Sequence, residues 1–238
     1  MAPTPLASIS AFFPCFNEEQ NVTAMVAALT TVLPQVAQRY QIIIIDDGSQ
    51  DQTGRLADEL ALQDRHLKVI HHPTNLGYGS SLRSGFAAAD YAWTFLTDGD
   101  RQFDVTELKK FIPYTKDFDI IIGYRLKRAE GSFRTLNARL FKLFIDLLFR
   151  VHVRDIDCAF KLLRTNQVKP LPFISTGAMI SSELLYRLKK RGLKFKQLPV
   201  HHFPRAWGSP TGNSFKVILK AGLEAVNLYL SIKLNRSI

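Results

Sequence analysis

The run Ile42-Ile43-Ile44-Ile45 stops abruptly at Asp46-Asp47-Gly48-Ser49, and that junction narrows the folds open to this chain. Four consecutive β-branched residues without polar alternation read as a strand buried on both faces, the situation in a parallel sheet with helices on either side. The acidic turn then lies at the strand's C-terminal end. A second junction has the same form: Ala92-Trp93-Thr94-Phe95-Leu96-Thr97 runs into Asp98-Gly99-Asp100-Arg101-Gln102. Both acidic clusters are thus predicted at one sheet edge, the edge where open α/β sheets bind ligands.

Segments 9–13, 42–46, 67–71, 92–97 and 119–123 read as strands. Helical patterns fall between several of them, around 18–39, 52–64, 79–90 and 104–114. This alternation implies right-handed crossovers and a mainly parallel central sheet flanked by helices, an α/β fold. After Gly123 the pattern loosens, with weaker strands at 159–164 and 193–200 and a helix at 181–191. No internal repeat or low-complexity linker interrupts the chain.

Asp98 and Asp100 are one residue apart, and Gly99 lets the chain turn so that both carboxylates face one point. Mg²⁺ or Mn²⁺ suits such a point, since a hard cation takes oxygen from one or two carboxylates and completes its shell with water and substrate phosphates. Gln102 offers a neutral oxygen beside them. Taken alone, the cluster reads equally as an Asp- and Gly-rich turn that ends a strand.

The 238 residues, 46% of them hydrophobic, suffice for one substantial core but not for several ordinary domains. Thirty-one Lys and Arg against 21 Asp and Glu leave a net charge of +10, which attracts nucleic acid, anionic lipid or phosphorylated substrates without choosing between them. Only Cys15 and Cys158 are present, which fits a reducing compartment and argues against a disulfide framework or a paired-cysteine zinc site. The first residues carry no basic region followed by an apolar core, and no apolar stretch approaches the roughly twenty residues that cross a bilayer. A cytoplasmic location is the expectation.

Four motifs occur in a telling order: Pro14-x-Phe16-Asn17-Glu18, then Asp46-Asp47-Gly48-Ser49, then Asn75-x-Gly77-x-Gly79, then Asp98-x-Asp100-x-Gln102. They are followed by Gly123-Tyr124-Arg125, by Asp155-Ile156-Asp157 before Ala159-Phe160-Lys161, and by Arg205-x-x-Gly208-Ser209. This order resembles family 2 inverting glycosyltransferases, particularly the polyprenyl-phosphate branch that includes dolichol-phosphate mannosyltransferase. The pattern departs at Ala159, where the family has glycine, and after Gly208, where the Ser-Lys pair that ends the family pattern is not matched. The missing lysine leaves Arg205 as the candidate to grip phosphate.

The resemblance implies a single GT-A-type nucleotide-diphospho-sugar transferase domain over 1–210. Its nucleotide-binding half covers about 8–123 and its acceptor half about 124–210, with an amphipathic helical tail at 211–238. The implied donor is a nucleoside-diphosphate sugar, GDP-mannose or a UDP-hexose, held near Pro14, Asn17, Glu18, Asp46, Asp47 and Gly77, with Asp46 bonded to the base. Asp98, Asp100 and Gln102 would hold the metal. Arg125 and Arg205 would neutralise the leaving diphosphate, with Arg128, Arg134 and Arg139 as a basic field along the acceptor path.

A polyprenyl phosphate acceptor, largely dianionic at neutral pH, needs no strong general base. A soluble or polysaccharide hydroxyl does, and Asp157, Asp155 and Glu183 are the candidates. Asp157 reads equally as a cap or an arginine partner. Two adjacent histidine pairs, His71-His72 and His201-His202, receive no catalytic role, because neighbours on a strand point to opposite faces and cannot readily chelate one metal.

Along 134–150 the polar positions Thr135, Arg139, Lys142, Asp146 and Arg150 form one narrow stripe on an otherwise apolar helix. The C-terminal segment repeats the design with Lys216, Lys220, Glu224, Asn227, Ser231 and Asn235. Such wide apolar faces pack against protein, in an oligomer or on a membrane-protein partner, or lie in a membrane interface with basic groups on anionic head groups. The interfacial reading places a peripheral enzyme at the cytoplasmic face of a membrane. A basic nucleic-acid-binding module is the remote alternative, and it has no use for clustered carboxylates at a sheet edge; no nucleic-acid partner is expected.

Overall fold

The computed structural model describes residues 4–126, 143–207 and 215–234. The chain runs β1 (Leu6–Cys15), α1 (Val22–Val36), β2 (Ala37–Asp46), α2 (Thr53–Gln63), β3 (Leu67–His71), α3 (Tyr78–Ala88) and β4 (Trp93–Leu96). Two 3-10 turns, Val105–Lys110 and Ile112–Lys116, lead to β5 (Ile120–Arg125). A helix at 143–149 (α4) precedes β6 (Lys161–Arg164), α5 (Thr165–Val168), α6 (Ile180–Lys190), β7 (Phe195–Val200) and α7 (Phe215–Leu234).

Seven strands form one sheet in the order β3-β2-β1-β4-β6-β5-β7. Only β6 runs antiparallel to its neighbours β4 and β5; the other pairings are parallel. The C-terminal ends of β1, β2, β3, β4, β5 and β7 therefore share one edge with the N-terminal end of β6.

Ile42 to Ile45 are completely buried, but not in one core. Ile42 and Ile44 pack with Phe13 and the α1 face of Val22, Met25, Val26, Leu29 and Leu33, spaced to fall on one side of the helix. Ile43 and Ile45 pack with Phe12, with Leu82 and Phe86 of α3, and with Leu184, Leu185 and Leu188 of α6. Because both faces are covered, a one-residue slip of β2 would expose no isoleucine. Its register is anchored at the polar end, where Asp46 pairs with His71 and with Ser49.

The sequence places helix starts and stops imperfectly. The pattern expected over 18–39 is helical only from Val22, and Pro34 in its last turn is followed directly by β2 from Ala37, in extended backbone. The helix expected over 104–114 is instead two 3-10 turns, the second opening with Pro113 in its first positions.

The apolar faces of α4 and α7 meet each other. Phe149 packs edge-on against Tyr229 and Tyr186, while Ala225 and Leu228 are buried in the same core. Part of each face is left over: Leu143, Leu147, Leu223, Val226 and Leu230 are exposed, Leu147 at 78%. Arg128, Arg134, Arg139, Gly208 and Ser209 lie outside the described residues. Among the described residues no helix is long and apolar enough to cross a membrane.

Candidate active site

Strand order places β1 between the two acidic junctions, so Asp46 at the end of β2 and Asp98 beyond β4 stand two strands apart, about 10 Å at the usual strand spacing. The turn after β1 lies between them. Its Asn17 has φ 55°, its backbone N–H donates to Ser49 Oγ at 3.0 Å, and its Oδ1 accepts from Gln50 N at 2.9 Å. Pro14-Cys15-Phe16-Asn17-Glu18 is thereby stitched to the loop that carries Asp46 and Asp47.

Asp46 is nearly buried and pinned at both oxygens: Oδ1 accepts from Ser49 N at 3.0 Å and Oδ2 lies 2.8 Å from His71 Nδ1. An open cleft of about 340 Å³ lies beside it, lined among others by Phe16, Asp46, Gly48, Ser49, His71 and Asn75. Asp47 faces elsewhere. Its carboxylate accepts from Leu76 N and Gly77 N, both at 2.9 Å, and approaches His72 Nδ1 at 2.6 Å. Gly77 has φ +91°, a conformation costly for any residue with a Cβ, and this lets the loop present two consecutive N–H groups to Asp47. In this structure Asp47 holds the Asn75–Gly79 loop in place.

Asp98 Oδ1 accepts from the Tyr78 hydroxyl at 3.2 Å. Burial, and then the charge of Asp100, push its carboxyl up to about 7 against the pull of Tyr78, Lys161 and Arg125. Asp100 Oδ1 accepts from Gln102 N at 3.1 Å, and its Oδ2 is 3.6 Å from Arg205. Gly99 between them passes so close to β1 that a Cβ would stand 2.7 Å from the Pro14 carbonyl oxygen.

Two acids one residue apart, one of them with strongly raised proton affinity, form a donor set short of positive charge, and hard-oxygen chemistry of this kind fits Mg²⁺ or Mn²⁺. Among the described residues no group of three His, Cys, Asp or Glu is placed to hold a metal ion. The Gln102 amide nitrogen donates to the Phe203 carbonyl at 2.9 Å, so this side chain ties the acidic loop to the segment after β7.

Both arginines are already engaged. Arg125 grips Asp155 with Nε at 2.7 Å and Nη2 at 2.9 Å, a bidentate pair that raises its pKa despite its burial. Arg205 bridges Glu18 and Asp100, which leaves it at the acidic edge with its charge shared. Glu18 is pinned further by Asn21 Nδ2 at 2.6 Å; burial raises its carboxyl, while Asn21 and Arg205 pull it down.

The three candidate bases separate clearly. Asp155 is buried against Arg125, and Glu183 is fully buried, accepting from Ile174 N, Ser175 N and Arg187 Nε. Asp157 is exposed, and its charge is felt at Tyr78, Arg125 and Lys161.

Sequence reasoning assigned no role to several residues that shape this edge. Lys161 is fully buried, and because β6 is reversed its first residue lies at the acidic edge, where the ammonium donates to the carbonyls of Ile156 and Cys158. Burial lowers its pKa against the opposing charges around it. The His71-His72 pair ends β3 directly beside Asp46-Asp47, with Asp46 and His71 as cross-strand partners. Two doublets of complementary chemistry at the ends of two predicted neighbouring strands were the available signal.

Residues 10–188 match the sequence model of Glycosyl transferase family 2. Among curated relatives, the undecaprenyl-phosphate 4-deoxy-4-formamido-L-arabinose transferase of Pseudomonas fluorescens (strain SBW25) is 25% identical over 231 residues, 92% of this chain and 64% of that protein. The putative glycosyltransferase CsbB of Bacillus subtilis (strain 168) is 29% identical over 177 residues, 74% of this chain and 54% of its own length. The chain thus spans less than two thirds of these relatives. Among solved structures, glucosyl-3-phosphoglycerate synthase from Mycobacterium tuberculosis in complex with Mn²⁺ and UDP-glucose superposes with a TM-score of 0.71 at 16% identity, covering 94% of this chain and 79% of that one. Mannosyl-3-phosphoglycerate synthase from Rubrobacter xylanophilus gives 0.72 at 16% identity, covering 98% and 76%. At these identities the superpositions establish a shared GT-A-like fold.

Proposed function

The chain belongs to glycosyl transferase family 2, and from that premise we propose that it transfers a hexose, with inversion, from a nucleoside-diphosphate sugar to a polyprenyl phosphate. The observation that carries this reading is the gathering of Asp46, Asp98 and Asp100 at one sheet edge around the turn that follows β1. Asp46, beside the cleft, is an acceptor-only carboxylate suited to a base that offers an N–H, such as uracil or guanine. Asp98 and Asp100 would hold Mg²⁺ or Mn²⁺, which when bound supplies charge stabilisation for the diphosphate leaving group. Tyr78 orients Asp98, Gln102 fixes the acidic loop, and Arg205 adds a cation beside Asp100.

The polyprenyl acceptor is supported by the undecaprenyl-phosphate relative from Pseudomonas fluorescens and by the leftover apolar surface of α4 and α7, which suits a peripheral contact with the membrane that carries such a lipid. A phosphate acceptor is already anionic, so no side chain has to remove a proton. If the acceptor were instead a hydroxyl, Asp157 would be the base, being the one exposed carboxylate among the three candidates.

The test is transfer from a panel of nucleotide sugars, with Mn²⁺, to detergent-solubilised polyprenyl phosphate and in parallel to water-soluble acceptors. Formation of a glycolipid is expected. Transfer to a soluble acceptor with no glycolipid from any donor would overturn the lipid assignment.

A further inference from the structure

We propose that His71 is a positioning residue for donor binding: held between Asp46 and Asp58, its ring fixes the Asp46 carboxylate at the wall of the nucleotide cleft. The inference rests on the reading of that cleft as the site of the donor's base.

Asp46 and His71 end adjacent parallel strands and face each other in register, with Nδ1 2.8 Å from Asp46 Oδ2. The other ring nitrogen, Nε2, lies 3.0 Å from Asp58 Oδ1 on α2. A third side is closed by the first turn of α2, where a Cβ on Gly54 would stand 2.8 Å from Asp46 Oδ2 and 3.4 Å from His71 Cε1. With Ser49 N on its other oxygen, the Asp46 carboxylate has no freedom to rotate, and its remaining lone pairs are held in fixed directions at the cleft wall.

An ionised carboxylate only accepts, so carboxylates on both ring nitrogens require a proton on each, and His71 is satisfied as the imidazolium. The bond to Asp58, then that to Asp46, raises its proton affinity against the effect of partial burial. These two acids, one from β2 and one from α2, are the charged groups that face the ring. His72 differs: its Nδ1 meets Asp47 at 2.6 Å, but its Nε2 meets the Ser84 hydroxyl, which can donate or accept, at 2.9 Å. The two adjacent histidines thus hold the two adjacent aspartates by different chemistry.

As pH rises through the raised His71 value, above the ordinary histidine range near 6.5, the ring loses a proton and one of its two contacts. The experiment is calorimetric titration of the full chain with UDP and with GDP in the presence of Mn²⁺, at pH values below and above neutrality. His71→Ala should weaken nucleotide binding about tenfold, the loss falling on donor KM more than on kcat. Both proteins share the gain in Mn²⁺ binding as Asp98 ionises, so the expected signal is their difference: the wild-type advantage is full at low pH and shrinks toward alkaline pH. His71→Gln, which can still donate one N–H to Asp46, should recover affinity but not the pH dependence.

Asp58 is exposed, so Asp58→Asn tests the same idea without disturbing the core, and it should move the loss of that advantage to lower pH. Wild-type affinity and an unchanged pH profile in His71→Ala would overturn the inference. Should His71→Ala fail to fold, an unchanged pH profile in both His71→Gln and Asp58→Asn does so instead. Asp46→Asn separates this from the underlying reading. If it leaves nucleotide affinity intact, the base site itself is wrong; if it weakens binding while His71→Ala does not, only the role of His71 fails.

Discussion

Tyr78 and Asp98 meet through a 3.2 Å hydrogen bond that ties the first residue of α3 to the turn beyond β4. A phenol donating to a carboxylate favours its ionised form, yet the Asp98 carboxyl remains raised to about 7, because burial and the neighbouring charge of Asp100 outweigh that bond. Between about pH 4 and pH 7 the folded state therefore holds a proton that the unfolded chain, with an ordinary aspartate near 4, has released.

Stability of the metal-free protein should accordingly fall as pH rises from about 4 to about 7 and level off above that, as far as Asp98 contributes. Asp98→Asn should flatten this decline and make the metal-free fold more stable at pH 8 by about 1–3 kcal/mol, while abolishing Mn²⁺-dependent nucleotide binding. Urea unfolding across this pH range checks the first part. A variant whose stability keeps the wild-type pH dependence would contradict it.

Asp100→Asn preserves volume and one hydrogen-bond acceptor, so its melting temperature should stay within a few degrees of wild type. Turnover should drop by about a hundredfold or more, the scale of losing one element of leaving-group stabilisation. Steady-state kinetics beside a thermal melt measure both, and near-normal turnover would remove Asp100 from the metal site.

Glu183 and Asp157 should behave oppositely. Glu183→Gln leaves Arg187 facing a neutral amide and spoils two backbone contacts in a fully buried place, and should cost about 2–4 kcal/mol of stability with kcat per folded molecule little changed. Asp157→Asn, at an exposed position, should cost less stability than Glu183→Gln. It should slow transfer only where a hydroxyl has to be deprotonated. Comparing the two variants on lipid-phosphate and hydroxyl acceptors distinguishes the chemistries directly.

Gly99→Ala introduces a methyl group 2.7 Å from the Pro14 carbonyl oxygen, and neither partner is a flexible side-chain end. The acidic loop must lift from β1, at about 1–3 kcal/mol. Because the shift moves Asp98 and Asp100 together, Mn²⁺ affinity measured by titration should fall more steeply than stability does.

Much of this edge is legible in the sequence. The isoleucine run reads as a doubly covered strand, which puts Asp46 at its C-terminal end; the run 92–97 puts Asp98 and Asp100 at the same edge. What was hidden depended on partners distant in sequence. Nothing local to Lys161 says that β6 runs backward, because a four-residue strand carries no direction in its pattern, and nothing local to Arg125 announces that Asp155 will claim it. The first half of β2, Ala37 to Gln41, was missed because its polar residues lack the apolar signature that the second half shows. The division of 1–210 into donor and acceptor halves remains a proposal drawn from resemblance.

The double fastening of Gln102 to Phe203, backbone to backbone at 2.8 Å and amide to carbonyl at 2.9 Å, joins two stretches a hundred residues apart. It works as a buckle: the stretch that leaves β7 cannot slide without dragging the turn that carries Asp98 and Asp100. A pull on that strap would be felt at the acidic edge.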